Sequence, residues 1–228
     1  MSQEIDFIEQ AYQACPEHCL PIIYKQSCKK YVNFAIPKFG MSLYDFMVER
    51  NEVLSQEECK VVFRQVVDCL EKLQKNGIFH LDIKEENILI CPKTFQVKLI
   101  DFGCSVSSEG LHGLNCNGRN GQNKTTSIVG SKEFCSPEIF LGCSSQKSLP
   151  KHDVWSLGVT IVSSMTGDTP YESMGALLKG EEEFRLKNGQ EADFIFDQEL
   201  QYLLSCMLEV NPHERISFGE LRKTEFFR

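Results

Sequence analysis

The stretch His80-Leu81-Asp82-Ile83-Lys84-Glu85-Glu86-Asn87 decides how this chain is read. It sets acids, a lysine, a histidine and an amide side by side, after a long amphipathic pattern and before the apolar run Ile88 to Ile90. Polar side chains on a loop between regular elements can be both exposed and rigidly placed, so such loops often carry chemistry. Asp101-Phe102-Gly103 follows 14 residues past Asn87, directly after the apolar run Val97 to Ile100. Further on come Ser136-Pro137-Glu138, then Asp153-Val154-Trp155-Ser156-Leu157-Gly158, and Arg215 shortly after Pro212.

The flanking pattern predicts the elements that hold these segments. Residues 2–14 carry apolar positions at Ile5, Ile8 and Tyr12, a short helical stripe that ends before Pro16. Leu20 to Tyr24 and Tyr31 to Ala35 read as two strands of a hairpin, turning at Gln26-Ser27-Cys28-Lys29-Lys30. Pro37-Lys38-Phe39-Gly40 is a connector, and a helix is expected over Leu43 to Arg50. Ser55-Gln56-Glu57-Glu58 is a capping-box signature. The helix it opens carries Val62, Val66, Cys69, Leu70 and Leu73 on one stripe and stops at Asn76-Gly77. Ile88 to Ile90 and Val97 to Ile100 read as short strands. Ser105 to Ser127, rich in Ser, Gly and Asn, reads as a long loop with the insert-like stretch Gly110 to Lys124. From Asp153 to Met165 apolar residues fall on nearly every face, so that helix should be buried. Asp197 is an N-cap for a helix to Met207, and Ser217-Phe218-Gly219-Glu220 is a second capping box.

The ordered set of motifs resembles the protein-kinase signature H-R-D-x-x-x-x-N, D-F-G, A-P-E and D-x-W-S-x-G. One such motif is weak; four in order, each in its expected context, are specific. The E-E-N-I-L-I and K-L-I-D-F-G runs look closest to Pim-type serine/threonine kinases, and the resemblance covers essentially the chain from Glu4 onward. It implies an α+β, protein-kinase-like fold: a remnant of the N-lobe over 1–38 and the helical C-lobe with catalytic loop and activation segment over 39–228. It implies ATP and Mg²⁺ as cofactors, with Asp82 as catalytic base and Lys84 beside the γ-phosphate. Asn87 and Asp101 match the Mg²⁺ ligands, and the connector with Ala35 and Pro37 would wall the adenine side. Glu138 and Arg215 match a structural ion pair, and Asp153 matches the carboxylate that fixes the catalytic-loop backbone. His80 is a scaffold residue on this reading. Gly130-Ser131 looks like the Gly-Thr of the substrate-binding loop. Glu85, Glu86 and Asp45 fall where Pim-type kinases carry acids that meet substrate arginines.

Three departures stand out. Glu4 matches the glutamate that pairs with the β3 lysine, yet only Met1-Ser2-Gln3 precede it, and neither G-x-G-x-x-G nor a V-A-I-K segment occurs. The expectation is therefore a truncated N-lobe with an exposed sheet edge. A catalytically inactive pseudokinase or kinase-mimic binding module is the alternative to an enzyme. Leu81 stands where the family has the Arg of H-R-D, so activity should not depend on a phosphorylated activation segment through that contact. Asn123-Lys124-Thr125 fits a glycosylation sequon, read as nothing in the absence of a signal peptide.

Composition sets the outer bounds. The 228 residues are 42% hydrophobic and 25% charged, which is globular and excludes collagen-like or wholly disordered chains. No apolar run approaches the ~18 residues of a membrane span. The net charge of −8 argues against nucleic-acid binding through a general positive field and favours basic protein substrates. With 11 cysteines, an odd number, and no secretory signal, reduced thiols and a cytoplasmic or nuclear protein, monomeric, are expected. Cys15, His18, Cys19 and Cys28 lie close in sequence, but their spacing is not the C-x-x-C of a zinc site, so zinc is the minor reading.

Overall fold

The computed structural model describes residues 3–28, 31–108, 130–142, 148–180 and 196–228. Helix α1 (Gln3–Ala14) buries Ile5, Phe7, Ile8 and Ala11 and leads through Cys15–Leu20 into a hairpin of β1 (Tyr24–Ser27) and β2 (Val32–Ala35). The hairpin is antiparallel, with Tyr24 opposite Ala35 and Ser27 opposite Val32. The first strand starts four residues later than the Leu20 expected. Pro21 has no N–H to give a ladder, and Leu20 is drawn into the core instead. All four β1 residues are exposed.

Strand β3 (Met41–Ser42) and α2 (Leu43–Arg50) follow, with Ser42 as N-cap accepting the Asp45 N–H. The long helix α3 (Gln56–Lys75) carries the full capping box between Ser55 and Glu58. Its 20 residues span about 30 Å. It buries Val62, Phe63, Val66, Val67, Leu70 and Leu73. Short strands β4 (Ile78–Phe79), β5 (Ile88–Ile90) and β6 (Val97–Leu99) lie around the loop that opened the sequence reading. β3, β5 and β6 form one antiparallel sheet, while β4 pairs with β7 (Val106–Ser107). So the first residues after Gly103, expected as loop, are held by a two-residue ladder. The rest of that stretch, including Gly110 to Lys124 and Asn123, lies outside the described residues, as do Lys29 and Lys30.

The C-terminal half comprises α4 (Pro137–Phe140), α5 (Leu149–Thr166), α6 (Met174–Lys179), α7 (Gln198–Met207) and α8 (Phe218–Leu221). α5 starts at Leu149 rather than Asp153 because Pro150 is well suited to a helix's first turn. Fourteen of its 18 residues are buried, so it is the central helix that its all-round apolar pattern predicts. Asp197 caps α7 through its carboxylate, and Ser217–Glu220 form the second capping box, though α8 is only one turn long. One apolar core runs from Phe7 on α1 through α3 and α5 to Phe227. A second cluster gathers Phe134, Trp155, Val159, Tyr171, Met174 and Leu208. The architecture is α+β with mostly helical content. Cys15 and Cys19 are buried but Cys28 is exposed, and among the described residues no group of three or more His, Cys, Asp or Glu side chains is arranged to hold a metal. The minor zinc reading has no support there.

Candidate active site

Asp153, one turn into α5, anchors the site. Its Oδ2 accepts the backbone N–H of His80 at 2.9 Å and its Oδ1 that of Leu81 at 2.8 Å. Both bonds are buried, and they hold Leu81 at a φ of 64°, a left-handed conformation a leucine adopts only under constraint. Burial pushes the Asp153 carboxyl up to about 6, against the pull of those two N–H groups. Leu81 packs with Phe79 and Leu149, flanked by Cys104, Val106 and Ile139. Where the resemblance led us to look for an arginine, the chain ties its catalytic loop to the segment after Gly103 by apolar contact.

His80 is fully buried. Its Nδ1 accepts the Asp82 N–H at 3.3 Å, and its Nε2 lies 3.0 Å from the Ile100 carbonyl. That pair of contacts fits one neutral tautomer, protonated on Nε2. Burial lowers its pKa to about 4. The histidine thus sets the spacing between Asp82 and the Asp101 turn and stays uncharged, as the scaffold reading expects.

The Asp82 carboxylate is the focus of the site. Oδ1 accepts the Ser131 N–H at 2.8 Å, and Oδ2 accepts Asn87 Nδ2 at 3.0 Å and faces Lys84 Nζ at 3.0 Å. Asn87 Nδ2 also reaches the Asp82 carbonyl at 2.8 Å, and Lys84 Nζ donates to Ser131 Oγ at 2.8 Å. Burial raises the Asp82 carboxyl, but Lys84 and the Ser131 N–H more than offset it and leave it below the usual carboxylate range. For Lys84, burial disfavours the ammonium and Asp82 outweighs it, so the pKa is raised. Both groups are therefore charged at neutral pH. Gly130 makes this approach possible: its φ is 84°, and a Cβ there would lie 2.3 Å from the Leu81 carbonyl oxygen. Ser131, second in the pair read as a Gly-Thr analogue, joins the site through both its N–H and its hydroxyl.

Asp101 sits at the mouth, exposed, at a φ of 64°, with Oδ1 accepting the Gly103 N–H at 3.2 Å. The donor set fits Mg²⁺. Both Asn87 N–H donors point at Asp82, which leaves Asn87 Oδ1 as a hard oxygen acceptor, and the Asn87 carbonyl accepts the N–H of Ile100, the residue before Asp101, at 3.0 Å. Mg²⁺ is commonly held by one or two protein oxygens together with phosphates. Ala35 closes β2 opposite Tyr24, and Pro37 is half-buried in the connector. Glu4 lies in the first turn of α1, half-buried.

The three acids expected at a substrate surface part company. Glu86 is exposed. Glu85 is only 3% exposed and accepts Ser164 Oγ at 3.3 Å, so it is not the solvent-facing carboxylate that its sequence position led us to expect. Burial, opposed by the Ser163 and Ser164 hydroxyls, pushes it up to about 7. It is held inward by the Ser164 hydroxyl of α5, a contact that local sequence does not announce. Glu85 and Glu86 line a cleft of about 440 Å³ with Tyr44, Val48 and Phe134. Asp45 is exposed in the first turn of α2 and accepts Ser42 Oγ at 2.7 Å.

Arg215 and Glu138 meet as a bidentate pair at 2.8 and 2.9 Å, with Arg215 1% exposed. Arg215 also donates to the carbonyls of Glu209 and Lys151 and lies 4.9 Å from the centre of the Trp155 ring. Sequence reasoning named the pair but missed two supports. His152 bridges Ser136 and the Leu81 carbonyl, and Ser156 Oγ donates to the Phe134 carbonyl at 2.7 Å.

Comparison with known proteins agrees with this geometry. Residues 7–227 match the protein kinase domain family. The chain is 32% identical over 189 residues to a carbon catabolite-derepressing protein kinase of Secale cereale, covering 82% of this chain and 34% of the relative. It is 31% identical over 186 residues to a PAS domain-containing serine/threonine-protein kinase of Mus musculus, covering 80% of this chain and 12% of that protein. The chain thus spans about a third or less of the length of these curated relatives. A family match from Phe7 to Phe227, laid over a catalytic loop, an Asp-Phe-Gly turn and a buried Glu–Arg pair in one core, makes this chain a member of the protein kinase family.

Proposed function

We propose that this chain acts as a serine/threonine protein kinase, transferring the γ-phosphoryl group of ATP to hydroxyl groups of proteins in a basic sequence context. The observation that carries the proposal is the Asp82 carboxylate, charged and aimed by Lys84, Asn87 and Ser131. Asp82 accepts the proton of the incoming hydroxyl as the bond to phosphorus forms, a role typically worth 10²–10⁴-fold in rate. Lys84 supplies a fixed positive charge beside the transferring group, in a partly water-excluded place where it acts at short range. Asn87 and Asp101 hold Mg²⁺, which when bound with the nucleotide neutralises charge on the phosphates. The connector at Ala35 and Pro37 faces the adenine side. Serine/threonine specificity is supported by the likeness to the Mus musculus serine/threonine-protein kinase and by Lys84 two residues after Asp82. The E-E-N-I-L-I run supports a likeness to the Pim-type enzymes within the family. The exposed Glu86 and the −8 net charge support a basic substrate.

The test is transfer of radiolabelled phosphate to a serine peptide with arginines upstream, by the wild-type chain and by Asp82→Asn. Slow but measurable transfer, lost in the variant, supports an enzyme. The 228 residues contain no Gly-rich loop, so turnover by this polypeptide alone should fall far below the ~1–100 s⁻¹ of kinases. Transfer equal in the variant would refute the role of Asp82. Nucleotide binding with no transfer, even after fusion to a Gly-rich N-lobe, would return the chain to a non-catalytic binding module.

A further inference from the structure

Away from the active site, three thiols meet where the connector after α1 crosses α3. Cys19 Sγ lies 3.8 Å from Cys69 Sγ, and Cys69 also points at the His18 carbonyl at 4.0 Å. Cys15 shares a thiol hydrogen bond with the same Cys69. Cys15 and Cys19 face one way because residues 15–19 form a helical turn, with the Cys19 N–H donating to the Cys15 carbonyl at 2.9 Å. Cys69 stands 50 residues further along the chain, so the cluster is invisible in sequence spacing.

We propose that Cys19 and Cys69 form a reversible disulfide that staples the α1–β1 connector to α3. The two sulfurs are already in contact, and a disulfide needs them at ~2.05 Å, a closure that side-chain rotation on a short connector can supply. The oxidant is a small hydroperoxide. The Cys69 sulfur attacks a peroxide oxygen while its proton passes to the departing hydroxide, giving a sulfenic acid and water. The Cys19 thiol then attacks the sulfenic sulfur, forming the S–S bond and releasing water. Two thiols and one hydrogen peroxide become one disulfide and two waters. His18, between Cys15 and Cys19 in the chain, and Asp68, next to Cys69, line an outer cleft of about 450 Å³. α1 packs on the turn Phe102–Cys104, so a staple at its end also steadies the Asp-Phe-Gly turn.

The test is non-reducing peptide mapping of the full 228-residue protein titrated with hydrogen peroxide, with hydrogen exchange of residues 11–20 as a second readout. The exposed Cys28 serves as the reference for general oxidation. The expected result is a Cys19–Cys69 linked peptide at doses no higher than those that oxidise Cys28. Reductant should remove it, exchange over 11–20 should slow, and Tm should rise by roughly 5–10 °C. Cys19→Ser and Cys69→Ser should each abolish both the linked peptide and the slowed exchange. Oxidation of Cys28 while Cys19 and Cys69 stay reduced would overturn the proposal. So would a linked peptide that forms only in denaturant, or slowed exchange that persists in Cys19→Ser.

Discussion

At the scale of single residues, the site is a set of buried polar groups whose partners are all supplied by backbone and neighbours. Asp153 shows the cost of removing one. Asp153→Ala would strand the His80 and Leu81 N–H groups in the core, and a loss of about 2–4 kcal/mol in unfolding free energy by urea titration is expected. His152 gives a pH signature. Burial lowers its pKa to about 4, against about 6.5 in an unfolded chain. Between these values the unfolded state binds the proton and the folded state does not, so stability falls as pH drops from 6.5 towards 4. His152→Gln should narrow the gap in stability between pH 7 and pH 5 by about 2 kcal/mol, with urea titrations at both pH values as the check. Lys84→Met should lower kcat by about 10–100-fold with a smaller effect on nucleotide affinity, because it removes charge from the transferring group rather than from the nucleotide's anchor. Much of this scale was legible in the sequence. Asp82, Lys84, Asn87 and Asp101 lie within one chain segment of 20 residues, and the first three meet around one carboxylate. Glu85 was not legible, because its burial depends on Ser163 and Ser164 of α5, almost 80 residues away.

At the scale of elements, capping and periodicity were readable because they are local physics. Ser55–Glu58 and Ser217–Glu220 close their boxes as their spacing requires. The two-residue strands β3, β4 and β7 were not, since a pair of residues carries no period and the pairing partner decides the state. The junction of α5 and α7 also came only from tertiary packing. Gly158 lets α5 approach Met207 and Leu208, and a Cβ there would meet both at 3.1 Å. Gly158→Val should therefore cost about 1–3 kcal/mol by overpacking, read as a lowered Tm that a smaller residue at Leu208 partly restores. Breaking the Glu138–Arg215 pair should cost more. Glu138→Ala leaves a 1% exposed guanidinium without its carboxylate, and about 3–5 kcal/mol is expected from chemical denaturation.

At the scale of the whole molecule, the proposed phosphoryl-transfer site is assembled from the catalytic loop and the Asp101 turn, held in place by more distant elements. α5 holds the catalytic loop through Asp153, and the β3–β5–β6 sheet brings the Asp101 turn beside it. The net charge of −8 and the exposed Glu86 bear on encounter with substrate rather than on this assembly. Glu86→Lys should accordingly raise KM for an arginine-bearing peptide more than it changes kcat, and the wild-type KM should rise with salt. The most direct measurement of the central claim is calorimetric titration of ATP into the 228-residue chain, with and without Mg²⁺, for wild type and Asp101→Asn. If Asn87 and Asp101 hold the metal against the phosphates, Mg²⁺ will strengthen nucleotide binding at least tenfold in the wild type and leave it nearly unchanged in the variant. Binding that is indifferent to Mg²⁺ in the wild type, or equally strengthened in Asp101→Asn, would contradict the account.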